Sequence, residues 1–232
     1  MIGIIGAMEQ EVGALMECMT DAVDKKAGIS VIREGTLYGR RVLVARCGIG
    51  KVHAAMCAQA MLMTAPVDLL LNIGVAGALT EKTAIAHCVV ATAAVQHDMD
   101  TSPLGDPVGM ISGINRVYLP CDDKARDRLT AACKTVGIPC IPGVIATGDR
   151  FVEQKSEKNR LNALFGAEAC DMEGAAIAQA AFEMGVPFAA YRCISDTLNG
   201  NGREYAENAA LAARASRTLL KAFLESFESE PL

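Results

Sequence analysis

Tryptophan is absent from the 232 residues, aromatic residues make up only 4%, and histidine occurs three times, at 53, 87 and 97, with no ligand-like spacing. A resident metal is therefore not expected, and each aromatic side chain near a candidate site carries extra weight. Basic residues form no stripe: 22 Lys and Arg are scattered among 27 Asp and Glu, giving a formal net charge of −5. Without a band of cations to neutralise successive phosphates, nucleic acid is not an expected partner. No C-x-x-C pair occurs among the nine cysteines, which lie singly and mostly in apolar runs, as reduced core thiols of a cytoplasmic protein do. The opening MIGIIGAMEQE reaches an acidic residue after eight positions without a basic flank, so neither a signal peptide nor a membrane span is expected. Repeats, low-complexity tracts and linkers are missing too. With 51% hydrophobic residues, the length suits one domain, 1–232, around a well-filled core.

Strand-like runs at 2–5, 31–38, 41–47, 68–74, 87–96, 140–148, 167–172 and 187–195 alternate with helical patterns at 9–19, 51–64, 122–136, 156–165, 173–184 and 204–227. Apolar strands separated by helices imply an α/β fold whose largely parallel sheet is covered on both faces. The hairpin-like spacing of 31–47 adds antiparallel pairing, so the sheet is expected to be mixed. The longest irregular stretch is 98–116, rich in Gly, Pro, Asp and Ser, and loops of this length are usually functional or mobile.

Three acidic residues sit at the ends of elements. Glu11 lies three after Met8 and four before Leu15, on the apolar face of the first helix with Val12 and Met16. It either favours the positive helix end or serves a site. Glu173 opens the nearly all-apolar helix EGAAIAQAAFEM, with Asp171 placed to cap it. In an open α/β sheet, strand carboxyl ends and adjoining helix N-termini form the ligand crevice, where a carboxylate can accept from sugar hydroxyls. Asp196 ends the buried strand VPFAAYRCIS, where Ser195-Asp196 also fits a plain turn. Arg192, inside that strand, needs an anionic partner, and a cluster of Arg192, Glu173 and Asp196 is the expected solution.

Glycine-rich segments GIIGAM, CGIGKVH and GVAGAL resemble phosphate loops only superficially. None fits G-x-G-x-x-G, and GIGKV lacks the leading Gly (Ala45 stands there) and the Ser or Thr after Lys51 (Val52 stands there). Their glycines are expected to let backbone approach a ligand or neighbouring element closely.

The set GIIGAMEQE, SVIREGTLYGRRVLVARCGIGKVHAA, LNIGVAGAL, ATGDRFV, CDMEGAAIAQ and YRCISD resembles, nearly end to end and in order, the bacterial 5′-methylthioadenosine/S-adenosylhomocysteine nucleosidases. The resemblance implies a nucleoside phosphorylase-like fold, a three-layer α/β/α arrangement around a mixed, partly barrel-like sheet. It also implies a homodimer, an adenine nucleoside as substrate, and hydrolysis of its N-glycosidic bond without a cofactor. By position in the motifs, Glu11 would activate water and Asp196 would protonate the purine N7. Met172 and Glu173 would hold the ribose with Arg192 close by. Phe151 would stack on adenine, the backbone of Val152 would read its edge, and Tyr205 stands where the family often has an aromatic lid over the ligand. Met8, Val75 and Ser195 complete the implied substrate-binding set. Burial is expected to keep Asp196 protonated and leave Glu11 available as a base. Many relatives have Ser at the position of Val75, and aromatics where the 98–116 loop carries Leu104 and Asp106. In the family this loop borders the 5′ pocket across the dimer interface.

Three rivals stand beside this expectation. A purine nucleoside phosphorylase of the same fold needs a cationic cradle for phosphate, where this chain offers Met8 and Glu11, and a futalosine-type nucleosidase differs only in substrate. A non-catalytic nucleoside-binding protein would need the pocket but not both Glu11 and Asp196.

Overall fold

The computed structural model of the chain describes residues 1–228. Strand β1 (Ile2–Gly6) leads into helix α1 (Glu9–Glu17), and the meander β2 (Thr20–Ala27), β3 (Ser30–Leu37) and β4 (Arg40–Arg46) leads to α2 (Lys51–Thr64). Next come β5 (Leu69–Asn72), β6 (Val75–Ala78), β7 (Cys88–Gln96), β8 (Tyr118–Pro120), α3 (Asp123–Val136) and β9 (Cys140–Thr147). The chain continues through α4 (Lys155–Phe165), β10 (Ala167–Asp171), α5 (Gly174–Glu183), β11 (Phe188–Asp196) and α6 (Gly202–Glu225).

All the elements expected from periodicity are present. β2, β6 and β8 are additions, each with a weak local signal. β2 is an exposed edge strand of sequence TDAVDKKA, whose charges blunt a free edge. β6 is the small-residue run VAGA, and β8 has three residues.

Strand order is β2-β3-β4-β1-β5-β11-β6-β10-β9-β7-β8, and a further β11–β7 pairing closes β11, β6, β10, β9 and β7 into a barrel. β11 makes the closure possible. Its Phe188–Ala190 end pairs in parallel with β5, Tyr191–Cys193 pairs antiparallel with β7, and Cys193–Asp196 pairs in parallel with β6. β1 is parallel to β4 and β5, whereas β3 is antiparallel to β2 and β4, so the sheet is mixed.

Alternation along the strands separates two buried layers. Ile4, Leu69 and Leu71 pack with Leu15 of α1, Leu129 of α3 and Phe223 of α6. Ile5, Leu43 and Leu70 face the other way, against Met61 of α2 and Ile177 of α5. Each such side chain contributes about 1.5–3 kcal/mol over exposure, a reserve against which the buried charges described below are carried. The 98–116 segment holds a short 3-10 turn at Ser102–Leu104 and is tied down by Gly109 N–H to the Met99 carbonyl (2.7 Å) and by an Ile111–Arg116 bridge. Among the described residues no helix is long and apolar enough to cross a membrane.

Candidate active site

β5 and β6 run along the same side of β11 as one line broken at Ile73-Gly74, and Gly74 adopts φ +151° there. The break makes room for Glu11. A Cβ on Gly74 would lie 2.5 Å from Glu11 Oε1. The carboxylate sits in a cup of backbone donors: Ala7 N–H (2.7 Å) and Met8 N–H (2.9 Å) donate to Oε2, and Val75 N–H (3.0 Å) donates to Oε1. Its bond to Met8 N–H also caps α1, so the helix-end explanation of an inward Glu11 is met. Burial raises its carboxyl above the ordinary value of 4.5, against the pull of the Met8, Val75 and Ala7 donors and of the Arg192 charge. The expectation that burial would spare Glu11 is thus corrected: burial raises its carboxyl.

Asp196, at the carboxyl end of β11, faces a cation instead of an apolar pocket. Lys158 of α4 is fully buried, and its Nζ donates to Asp196 Oδ2 at 2.8 Å. Ser195 Oγ lies 3.0 Å from Asp196 Oδ1 and 3.1 Å from the Ala76 carbonyl. Opposite stands Gly77, where a Cβ would come within 2.7 Å of Oδ2. The two glycines of GVAG and its leading neighbour therefore have separate tasks: Gly74 clears space for one carboxyl and Gly77 for the other.

The cluster expected around Arg192 divides differently. Arg192 is buried and gives Nη2 to Asp171 Oδ2 and Asn72 Oδ1, with Nη1 to the carbonyls of Tyr191 (3.0 Å) and Asn72 (3.2 Å). Its ion-pair partner is Asp171, neither Glu173 nor Asp196, because the β11 register turns its side chain toward the end of β10. Asp171 also accepts from Thr147 Oγ1 (2.5 Å) and from Gly174 N–H (3.0 Å), which caps α5 as expected. Glu173 accepts from Gly50 N–H at 2.9 Å, while Asp149 accepts from Lys51 N–H at 2.8 Å. The GIGK turn thus presents the N-terminus of α2 to two protein carboxylates. Burial, reinforced by the nearby Asp171 charge, pushes Glu173 up to about 7, against the Gly50 donor and Arg192.

One cavity of about 220 Å³ collects these groups. Glu11, Asp196, Met8, Val75 and Ser195 line it together with Phe151, Val152, Met172, Glu173 and Tyr205. The Phe151 and Tyr205 rings meet edge to face at 5.5 Å, and Tyr205 OH lies 3.4 Å from Met8 Sδ. Arg192 does not line the cavity but stands behind it, holding Asp171 and Asn72. No residue of 98–116 reaches it within one chain, and Arg150 is its only basic lining side chain. Among the described residues no group of three His, Cys, Asp or Glu could hold a metal ion.

Sequence analysis missed Lys158, Asn72 and Ile49. Lys158 had a signal: it falls three before Leu161 and seven before Phe165, both buried, and so shares the apolar face of α4. Asn72, within the apolar run DLLLNIG, had the same kind of signal.

A family model described as the phosphorylase superfamily matches residues 1–225. The 5′-methylthioadenosine/S-adenosylhomocysteine nucleosidase of Shewanella baltica is 36% identical over 202 residues, spanning 86% of this chain and 85% of that protein. The Neisseria meningitidis nucleosidase of the same name, solved with methylthio-immucillin-A, has a TM-score of 0.92 at 29% identity, over 97% of this chain and 98% of that one. A futalosine hydrolase from Helicobacter pylori gives 0.91 at 31% identity, over 97% of both chains.

Proposed function

Since this chain belongs to the phosphorylase superfamily and, within it, to the 5′-methylthioadenosine/S-adenosylhomocysteine nucleosidases, we propose that it hydrolyses the N-glycosidic bond of these two nucleosides, and of 5′-deoxyadenosine. Residues 1–232 would form one nucleosidase domain. The observation that carries the hydrolytic reading is the Glu11 carboxylate seated in three backbone N–H donors and sharing a cavity with Asp196. A phosphate nucleophile would have to take those donors from an internal anion and endure its repulsion. Arg192 is not available to compensate there, as it is consumed by Asp171 and Asn72.

In this reading Asp196 passes its proton to purine N7 as the C1′–N9 bond breaks, and the bonding pair leaves with adenine. Water adds to the oxocarbenium-like C1′ and gives its proton to Glu11. A proton then returns from Glu11 to Asp196 through solvent as products leave, and the enzyme is reset. Glu173 accepts from the ribose hydroxyls beside Met172, Phe151 and Tyr205 enclose the base, and Val152 supplies backbone to its edge. Arg192 acts from behind, keeping Asp171 and the start of α5 in place. The test is adenine release from a panel of 5′-substituted adenosines, with inosine as control, with and without phosphate. Phosphate-independent release from the 5′-thio compounds supports hydrolysis; a phosphate requirement defeats it.

Two consequences are measurable. Glu173 with a folded value of about 7 must ionise to accept from the sugar, so kcat/KM should rise with pH through about 7, and Glu173→Gln should abolish that limb. The stability sign is opposite: a raised carboxyl contributes stability below its unfolded value of 4.5, lost as pH rises toward 7. Glu173→Gln should therefore stabilise the protein at alkaline pH, on the order of 2 kcal/mol in thermal melts, and have little effect at acid pH. Gly77→Ala should displace the Asp196 carboxyl without unfolding the chain, lowering kcat about 10²-fold with a small change in Tm. Unaltered kcat would show that the clearance at Gly77 is unimportant.

The homodimer belongs to the same proposal. α2 exposes Val52 (69%), Met56 (47%) and Met63 (74%) along an open groove, and Leu104 is 84% exposed on the 98–116 loop. A second copy would cover these side chains and bring its loop toward the 5′ end of the cavity. Sedimentation equilibrium should return twice the chain mass, and a charged residue at Met56 should shift it toward the monomer.

A further inference from the structure

We propose that Lys158 is a positioning residue for the Asp196 acid: its ammonium fixes one carboxyl oxygen and stabilises the carboxylate formed when the proton leaves. The proposal rests on Asp196 being the proton donor.

A buried lysine is costly unless each of its donors is paired. Lys158, the only lysine among the described residues that is buried, meets three acceptors: Asp196 Oδ2 at 2.8 Å, the Thr197 carbonyl at 2.7 Å and the Gly200 carbonyl at 3.3 Å. Three acceptors match the three N–H bonds of an ammonium. Its helical neighbours on that face, Leu161 and Phe165, are apolar. A methionine or leucine would pack there without desolvating a charge, so stability alone does not account for a lysine.

The geometry at Asp196 supplies the reason. With Oδ2 held by Lys158 and Gly77 offering no Cβ, Oδ1, which among the described residues meets only the Ser195 hydroxyl at 3.0 Å, is the oxygen that carries and delivers the proton. As that proton moves from Oδ1 to N7, negative charge appears on a carboxyl whose cationic partner is already in place. No reorganisation is needed at the moment of bond breaking. The same ammonium holds the 197–200 turn, whose Thr197 N–H donates to Glu204 Oε2 at 2.6 Å at the start of α6, the helix that carries Tyr205. The acid and the aromatic wall of the cavity are thereby registered through one side chain.

The titratable and charged groups around Asp196 are Lys158 from α4, Cys170 and Asp171 from β10, Tyr205 and Glu204 from α6, and Glu11, Glu173 and Arg150 in the shared cavity lining. Burial pushes the Cys170 thiol up to about 12 and raises the Tyr205 phenol, so both stay neutral over the working range. Among the described residues Lys158 is the only cation paired with the acid.

Lys158→Met and Lys158→Gln should each lower kcat about 10²-fold with little change in KM. In an Asp196→Asn background, Lys158→Met should cost nothing further. A loss of equal size in both backgrounds would mean a purely structural role and would overturn the proposal. If neither variant folds, nitrogen-15 lysine labelling of the unsubstituted protein provides the readout. An exchange-protected ammonium signal should shift when adenine binds, and its absence or indifference to adenine overturns the proposal. The two levels separate cleanly. Wild-type turnover by Asp196→Asn defeats the acid assignment itself, whereas an inactive Asp196→Asn beside a fully active Lys158→Met defeats only the part given to Lys158.

Discussion

Asp196→Asn is expected to lower kcat for 5′-methylthioadenosine by about 10³-fold or more while leaving KM within reach of the unsubstituted enzyme. Adenine is a poor anionic leaving group, so the bond breaks readily only if the purine is protonated as it departs. An amide keeps the shape of the carboxyl and its contacts but carries no acidic proton. Its NH₂ can still donate to purine N7 in the ground state, which is why binding should survive. Stability should fall somewhat, because the contact that Lys158 makes with the Asp196 carboxyl is weakened. Breaking a buried pair costs about 3–5 kcal/mol when a charge is left bare, and here the asparagine oxygen and the carbonyls of Thr197 and Gly200 still accept. A Tm that falls by less than full pair loss, together with near-zero adenine release, is the expected signature. Release at the unsubstituted rate would remove Asp196 from the chemistry.

Glu11→Gln should be comparably severe, about 10³-fold in kcat, for the complementary reason that an amide cannot take the proton of the attacking water. The substitution also tests the cup of donors. A glutamine oxygen can satisfy either Ala7 and Met8 or Val75, and its NH₂ must then face the remaining N–H. An orphaned buried donor costs about 1–3 kcal/mol, offset by relief from burying a charge, so the net change in Tm at neutral pH should be small. The pH sign follows from the raised carboxyl. Folding favours its protonated form, so its stability contribution is present below the unfolded value and lost as pH rises through the folded one. Catalysis needs the ionised form. In the unsubstituted enzyme kcat should therefore fall on acidification at a pH above the ordinary carboxylate value of 4.5. An acid limb at or below that value would contradict the role of burial.

Much of this was legible before any coordinates. Eight of the strands are apolar or alternating runs long enough to declare themselves, and α2, from Lys51 to Thr64, matches its helical pattern at both ends. Glu11, Glu173 and Asp196 drew attention because a carboxylate on an apolar face or at the end of a buried strand needs an explanation, and all three line the cavity. What stayed hidden depends on register between distant segments. Arg192 could be known to need an anion, but its choice of Asp171 over Glu173 follows from how β11 lies in the sheet. Lys158 comes from a helix 38 residues before Asp196, and nothing local joins them. The glycines of LNIGVAGAL could be seen as sites of close approach, yet that one makes room for Glu11 and the other for Asp196 emerges only once β1, β6 and β11 are side by side. Closure of the barrel through β7 is likewise a property of one long strand changing partners midway.

The most direct test of water as the nucleophile between these two carboxyls is the fate of oxygen-18 water during turnover of 5′-methylthioadenosine in phosphate buffer. Mass spectrometry at early times should find one heavy oxygen on C1 of a free 5-methylthioribose, formed at the same rate with or without phosphate. An unlabelled sugar 1-phosphate whose formation requires phosphate would contradict hydrolysis and the placement of Glu11 as its base.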